Sequence, residues 1–163
     1  MRHLVTRFEE ASHSSRLVAL EGAQETLRRL HARGVRLALI CDSGLTPGRV
    51  VRLHLARLGL LRFLEAQVFS DEVGVPKPSP RIFHIALAAL GCDPTRSVHV
   101  GDLRRTDVAG ARGVGMATVR LRCRNDDRAE LPDADRVADS QEELRSLLGV
   151  GHDAFEPGPD AVE

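Results

Sequence analysis

Ser97-Val-His-Val-Gly-Asp-Leu-Arg-Arg-Thr-Asp-Val-Ala-Gly-Ala-Arg-Gly-Val-Gly115 is the stretch that decides the fold. Val98 and Val100 suit a buried parallel strand, and Gly101 permits a tight turn. Thr106 or Asp107 can cap a helix that Val108, Ala109 and Ala111 continue. A strand that hands over to a helix in this way delivers Asp102 and Asp107 to one crevice at the strand's carboxyl end. Two carboxylates there form a hard, oxygen-rich site of the kind Mg2+ occupies, because that ion keeps several waters and needs few protein ligands. In isolation the same two residues also read as a turn former and a helix cap. Their weight depends on what the rest of the chain places beside them.

Working outward, strand and helix signals alternate. Ala23, Leu27 and Leu30 share a helical face over residues 22 to 33, and Gly34 stands where a helix-terminating glycine belongs. Val35 to Cys41, with Leu37, Ala38, Leu39 and Ile40 continuous, has the apolarity of a strand covered on both faces, and it ends in Asp42-Ser43-Gly44. Thr46-Pro47 opens a helix whose inner face is Val50, Val51, Leu55 and Leu58. Ala66 to Phe69 is a second strand, followed by a loop that contains Lys77. Ser79-Pro80 starts another helix, with Ile82, Phe83, Ala86, Leu87 and Leu90 on its buried stripe. After the central stretch come strands at Ala117 to Leu121 and Arg136 to Ala138, then a helix at Glu142 to Leu148.

This alternation predicts an α/β class: a Rossmann-like three-layer fold with an open, mostly parallel sheet and right-handed crossovers. Every polar cluster follows a strand, so Asp42, Ser43, Lys77, Asp102 and Asp107 should gather at one edge of the sheet. Residues 1 to 20 carry weak signals and are expected to form a short arm, residues 21 to 148 the core, and residues 149 to 163 a disordered tail.

Composition narrows the function. At 163 residues the chain is expected to be one domain with its own core. Cys41, Cys92 and Cys123 are odd in number and share no metal-ligand spacing, which points to reduced thiols in a cytoplasmic protein. No apolar run has the length of a membrane span, so no membrane partner is expected. A formal net charge of zero and the absence of Trp and Tyr argue against nucleic acid. Arg120, Arg122 and Arg124 then read as a solvated strand end. Of the 23 basic side chains, Lys77 is the single lysine. A compact ammonium on a flexible stem enters a small anionic site that a planar guanidinium fits badly.

A small polar group at a strand end, then a lysine before a helix, then Gly-Asp with a second aspartate resembles the haloacid dehalogenase (HAD) superfamily over roughly residues 17 to 148. Gly74-Val-Pro-Lys-Pro-Ser-Pro-Arg-Ile-Phe83 is similar to that family's lysine motif, and Val98-His-Val-Gly-Asp102 through Asp107 to its acidic motif. The resemblance implies Mg2+-dependent hydrolysis of a small phosphorylated metabolite through an aspartyl-phosphate. It also implies roles for single residues: Lys77 as catalytic and phosphate-binding, Asp102 as a metal ligand, and Asp107 as a second ligand or an orienter of the metal's waters. At the second motif the family has Ser or Thr followed by Asn. This chain has Cys41-Asp42-Ser43, so the phosphate-binding group there is either the Cys41 thiol or a displaced Ser43 hydroxyl, with the Asp42 anion between them.

The family's first motif, a strand ending Asp-x-Asp, is the larger departure. No aspartate precedes Asp42, and Glu9, Glu10, Glu21 and Glu25 follow no strand pattern. Asp133-Ala-Asp135 has the letters but reads as a surface loop. The expectation is therefore a family member lacking its nucleophile and its central strand, with most of the cap segment also missing. It is either amino-terminally shortened or a degenerate paralogue in which Leu4-Val5-Thr6 or Leu17-Val18-Ala19 partly fills the sheet. On the first view the chain is a hydrolase that is inactive by itself. On the second it is a non-catalytic phosphate- or metal-binding or interaction module. A phospho-accepting receiver domain is disfavoured because its lysine comes last along the chain, and a dinucleotide-binding module because Gly-x-Gly-x-x-Gly never follows a strand.

Overall fold

The computed structural model describes residues 17–44 and 46–151. Most of the expected arm and tail, including Leu4-Val5-Thr6, lies outside the described residues. In chain order the elements are α1 (Ala23–Ala32), β1 (Ala38–Cys41), α2 (Gly48–Arg57), β2 (Ala66–Phe69), the single turn α3 (Ser70–Val73), α4 (Pro80–Leu90), β3 (Val98–Gly101), α5 (Ala109–Gly113), β4 (Ala117–Leu121), β5 (Arg136–Ala138) and α6 (Gln141–Leu147). A π-helical turn, Arg104–Val108, leads into α5 where the sequence predicts ordinary helix from Thr106. Wide turns of this kind are frequent at functional sites.

All strand pairings are parallel, as expected, but they fall into two separate sheets. One has the order β1-β2 and the other β3-β4-β5. Two contacts fix the direction of β1 relative to β3. Asp42, just past the carboxyl end of β1, accepts from the Lys77 backbone N–H, and the Lys77 ammonium reaches Asp107, which packs on Gly101 at the carboxyl end of β3. The two half-sheets therefore run the same way and share one carboxyl edge. A central strand is missing between them among the described residues. Leu17-Val18-Ala19 does not fill that place: residues 17 to 20 form no strand, and Val18 is 80% exposed.

The best-packed face carries α4 and α5. Ile82, Phe83 and Ala86 of α4 join Val68 of β2 and Ala111 of α5, with Ala38 and Ile40 of β1 packed against them. The regular apolar stripe of α4 explains why this cluster is dry: its inner positions recur at helical spacing, and Pro80 at the first turn sacrifices no intrahelical bond. On the other face α1 packs on α6, and Leu144 of α6 covers Val119 and Ala138. α2 starts after Pro47 and has no capping hydroxyl of its own. The Asp71 carboxylate takes the Gly48 N–H instead, at 3.1 Å, placing an anion at a helix start. Gly48 itself is obligatory, since a Cβ there would lie 2.4 Å from the Phe69 ring.

The Arg120 environment corrects the sequence reading. Instead of ending a strand in solvent, its side chain is 2% exposed and bonds both oxygens of Asp133, at 2.6 and 2.8 Å, and also Asp126. A planar guanidinium can be buried when a carboxylate meets it in parallel in this way. Asp133-Ala-Asp135 is therefore a latch. Asp133 also takes a bond from Arg104, while Asp135 takes the Thr118 backbone N–H and hydroxyl, both at 2.8 Å. At the far end of the core, Val150 is 2% exposed and Arg29 of α1 donates to the Gly151 carbonyl.

Candidate active site

The shared carboxyl edge of the half-sheets gathers Asp42, Lys77, Asp102 and Asp107, as the element order predicts. Lys77 extends from the loop after α3, where its own peptide bond to Pro78 is cis. Its ammonium meets Asp107 Oδ1 at 2.6 Å, with the two side chains only 12% and 5% exposed. Asp107 is reached through the π-helical turn, and its position requires Gly101, because a Cβ there would fall 2.3 Å from the carboxyl carbon. The Leu103 N–H donates to Oδ2 at 3.1 Å. Burial alone pushes the Asp107 carboxyl upward, but the hydrogen bonds from His99 and Lys77 outweigh it and hold the group well below the usual carboxylate range.

His99 was missed in the sequence. Its Nε2 lies 3.0 Å from Asp107 Oδ1, and its ring meets the Phe83 ring edge-on at 5.2 Å between centroids. The alternation of β3 holds the signal. Val98 and Val100 point to one face, so His99 points with Gly101 to the other, where Asp107 packs. Asn125 was also missed: its amide donates to Asp102 Oδ2 at 3.0 Å.

The second-motif candidates separate. Asp42 accepts the Lys77 backbone N–H at 2.9 Å, so this anion anchors the lysine loop to the end of β1. The buried Ser43 hydroxyl donates to Asp71, while the Ser43 N–H donates to Ser70 Oγ at 3.0 Å. Asp71 in turn is pushed up by burial and brought below its ordinary value by the bonds from Ser43 and Gly48. The Ser43 proton is thus committed to the α2–α3 junction. Cys41 remains closer to the electrostatics of the site. Burial raises its thiol and the Lys77 charge opposes the rise, so at neutral pH it is a thiol, a weak donor.

The donor set fits a divalent ion only in part. Asp107 Oδ1 is engaged by both Lys77 and His99 and its Oδ2 by Leu103, while Asp102 offers its second oxygen. Among the described residues no group of three His, Cys, Asp or Glu side chains is placed to hold a metal. These residues do not amount to a complete Mg2+ site.

A parallel α/β core with a lysine ion-paired to an aspartate at its carboxyl edge defines a Rossmann-like protein, and three comparisons make this specific. The family model described as haloacid dehalogenase-like hydrolase matches residues 4–115. The glyceraldehyde 3-phosphate phosphatase of Methanopyrus kandleri is 38% identical over 132 residues, covering 75% of this chain and 54% of its own. The human haloacid dehalogenase-like hydrolase domain-containing protein 3 is 38% identical over 109 residues, 67% of this chain and 42% of its own. A solved HAD phosphatase from Thermococcus onnurineus superposes with a TM-score of 0.72 at 30% identity, covering 91% of this chain and 65% of that one. The chain belongs to the haloacid dehalogenase-like hydrolase family. It spans about half the length of the curated relatives it matches.

Proposed function

We propose that this chain is the phosphate-binding side of a HAD-type phosphate-ester hydrolase acting on a small phosphorylated metabolite, and that it performs no turnover unaided. The Lys77–Asp107 ion pair carries the reading, because it joins the lysine motif to the acidic motif at the edge where Asp102 also stands. An ammonium fixed in a partly dry cleft is suited to the charge that a phosphoryl group in transfer spreads over its oxygens. Asp107 holds that ammonium in place, Asp42 holds the loop that carries it, and Asp102 is the carboxylate left with a free oxygen for Mg2+. When bound there, Mg2+ supplies charge neutralisation for phosphate oxygens. Its remaining ligands come from groups other than those described.

The attacking group is absent from this constellation. No aspartate precedes Asp42, and the second-motif position offers either the Cys41 thiol or a Ser43 hydroxyl committed to Asp71. Without a nucleophile the covalent route is closed. A cytoplasmic setting agrees with three free cysteines, and among the described residues no helix is long and apolar enough to cross a membrane. Assayed with p-nitrophenyl phosphate and Mg2+, the purified chain is expected to release phosphate no faster than buffer. Release abolished by Asp102→Ala would overturn the reading by exposing a nucleophile elsewhere in the chain.

A further inference from the structure

Three arginines have no partner of any kind among the described residues: Arg81, Arg105 and Arg124, all of them exposed. Elsewhere the guanidinium charge is met. Arg36 pairs with Glu65, Arg52 with Glu72, Arg112 with Asp135 and Arg122 with Asp139. The unmet charges are not scattered. Arg81 stands in the first turn of α4, four positions after Lys77. Arg105 stands in the π-helical turn, between Asp102 and Asp107. Arg124 immediately precedes Asn125, whose amide bonds Asp102.

Arg105 and Arg124 belong to segments that are stitched together. The link from β4 to β5 contains no helix, and Arg104 holds it in place. The Arg104 N–H donates to Asp127 at 2.6 Å, and the Arg104 guanidinium reaches the Ala129 carbonyl and Asp133, each at 2.9 Å. The aspartates of this link are engaged by other donors: Asp126 and Asp133 by Arg120, Asp127 by Arg104 and the Ala129 N–H, and Asp135 by Thr118. Glu130, on the same link, bonds neither Arg105 nor Arg124.

We infer that Arg105 and Arg124 form a rim subsite for a second anionic group, so that the phosphate ester taken by the site carries a carboxylate or a second phosphate on its far part. The inference rests on the proposed reading of Lys77 as the phosphate-holding group. Lys77 lies inside the cleft on Asp107, at 12% exposure, so a phosphate placed there leaves the two exposed guanidinium charges unmatched. A second anion on the same small molecule matches them. Carboxylate and phosphate share the chemistry that recognises them here, since a planar guanidinium meets either with two parallel charge-assisted bonds. An ester with a neutral remainder gains nothing from this rim, and its selection against follows from that difference.

The test titrates the full chain, without metal ion, with phosphonates that cannot be hydrolysed, and follows binding by phosphorus NMR. Methylphosphonate offers one anionic group, phosphonoacetate adds a carboxylate, and methylenebisphosphonate adds a second phosphonate. At low salt the better of the two-anion probes is expected to bind about tenfold tighter than methylphosphonate, and which of them it is identifies the second group. The advantage should shrink in about 0.3 M NaCl, because both arginines are exposed to screening. Arg105→Ala and Arg124→Ala should each cut it to about threefold or less and leave methylphosphonate affinity unchanged. Arg96→Ala removes the same charge from an exposed position before the amino end of β3 and should leave the advantage whole. Equal affinity for all probes, or an advantage that survives Arg105→Ala/Arg124→Ala, overturns the inference and leaves the reading of Lys77 standing. Binding that Lys77→Met does not weaken overturns that reading and the inference with it, as does the absence of binding by any probe. Displacement of phosphonoacetate by a lower concentration of oligothymidylate assigns the rim to a nucleic-acid backbone and overturns the small-molecule assignment.

Discussion

Asp107→Ala should lower the unfolding free energy at pH 7 by about 3–5 kcal/mol, the range seen when one partner of a buried ion pair is removed. The substitution strands the Lys77 ammonium, which is 12% exposed, and frees the Leu103 N–H and His99 at the same time. Urea titration of the variant and of Lys77→Met/Asp107→Ala separates charge burial from packing. The double variant should recover part of the loss, because no charge is left without its partner. The pH dependence has a definite sign. The Asp107 carboxyl is depressed in the folded state, so its stabilisation is fully present above the unfolded value of about 3.9 and is lost as pH falls through the lower folded value. Below about pH 4 wild type should therefore lose stability more steeply than Asp107→Asn. Parallel slopes for the two proteins between pH 4 and pH 2.5 would count against the ion pair as described.

Phe83→Ala should cost about 3–5 kcal/mol, as expected for a fully buried aromatic side chain. Phe83 is 0% exposed and lies where α4, α5 and β3 meet. Its ring supports His99, and a Cβ on Gly110 of α5 would fall 2.5 Å from its edge. The urea midpoint should drop with little change in slope, since the same surface is exposed on unfolding. Gly110→Ala, harmful in wild type, should become milder once the ring is gone. Simple additivity of the two substitutions would show that Phe83 and Gly110 do not share the contact.

Much of the architecture was legible in local patterns. The α4 stripe from Ile82 to Leu90 recurs at helical spacing after Ser79-Pro80, and the inner face this spacing predicts is the one that is buried. Strands at Ala66–Phe69, Ala117–Leu121 and Arg136–Ala138 fall where expected, and the β1 run was placed correctly at its carboxyl end but begins at Ala38, three residues later than expected. Other features depend on distant partners. Arg120 reads as a solvated basic residue because nothing near it announces Asp133, thirteen positions further on, as a bidentate partner. His99 is hidden in the sequence within a β-branched run, although its strand alternation points it at Asp107. Ser43 carries the hydroxyl expected of the second motif, and only the return of the chain at Asp71 shows where that proton goes.

By itself the sequence determined the α/β class, the order of the elements and the gathering of Lys77, Asp102 and Asp107 at one edge, along with the lack of an aspartate ahead of Asp42. These follow from hydrophobic period, turn residues and the rule that loops after parallel strands share a side, all of which are properties of neighbouring residues. Tertiary structure alone decided that Asp42 anchors the lysine loop, that Arg120 is buried, and that among the described residues the strands form two separate half-sheets bordering one cavity. The pairs Asp42–Lys77 and Lys77–Asp107 join residues 35 and 30 positions apart, and the relative placement of the half-sheets brings them within bonding distance.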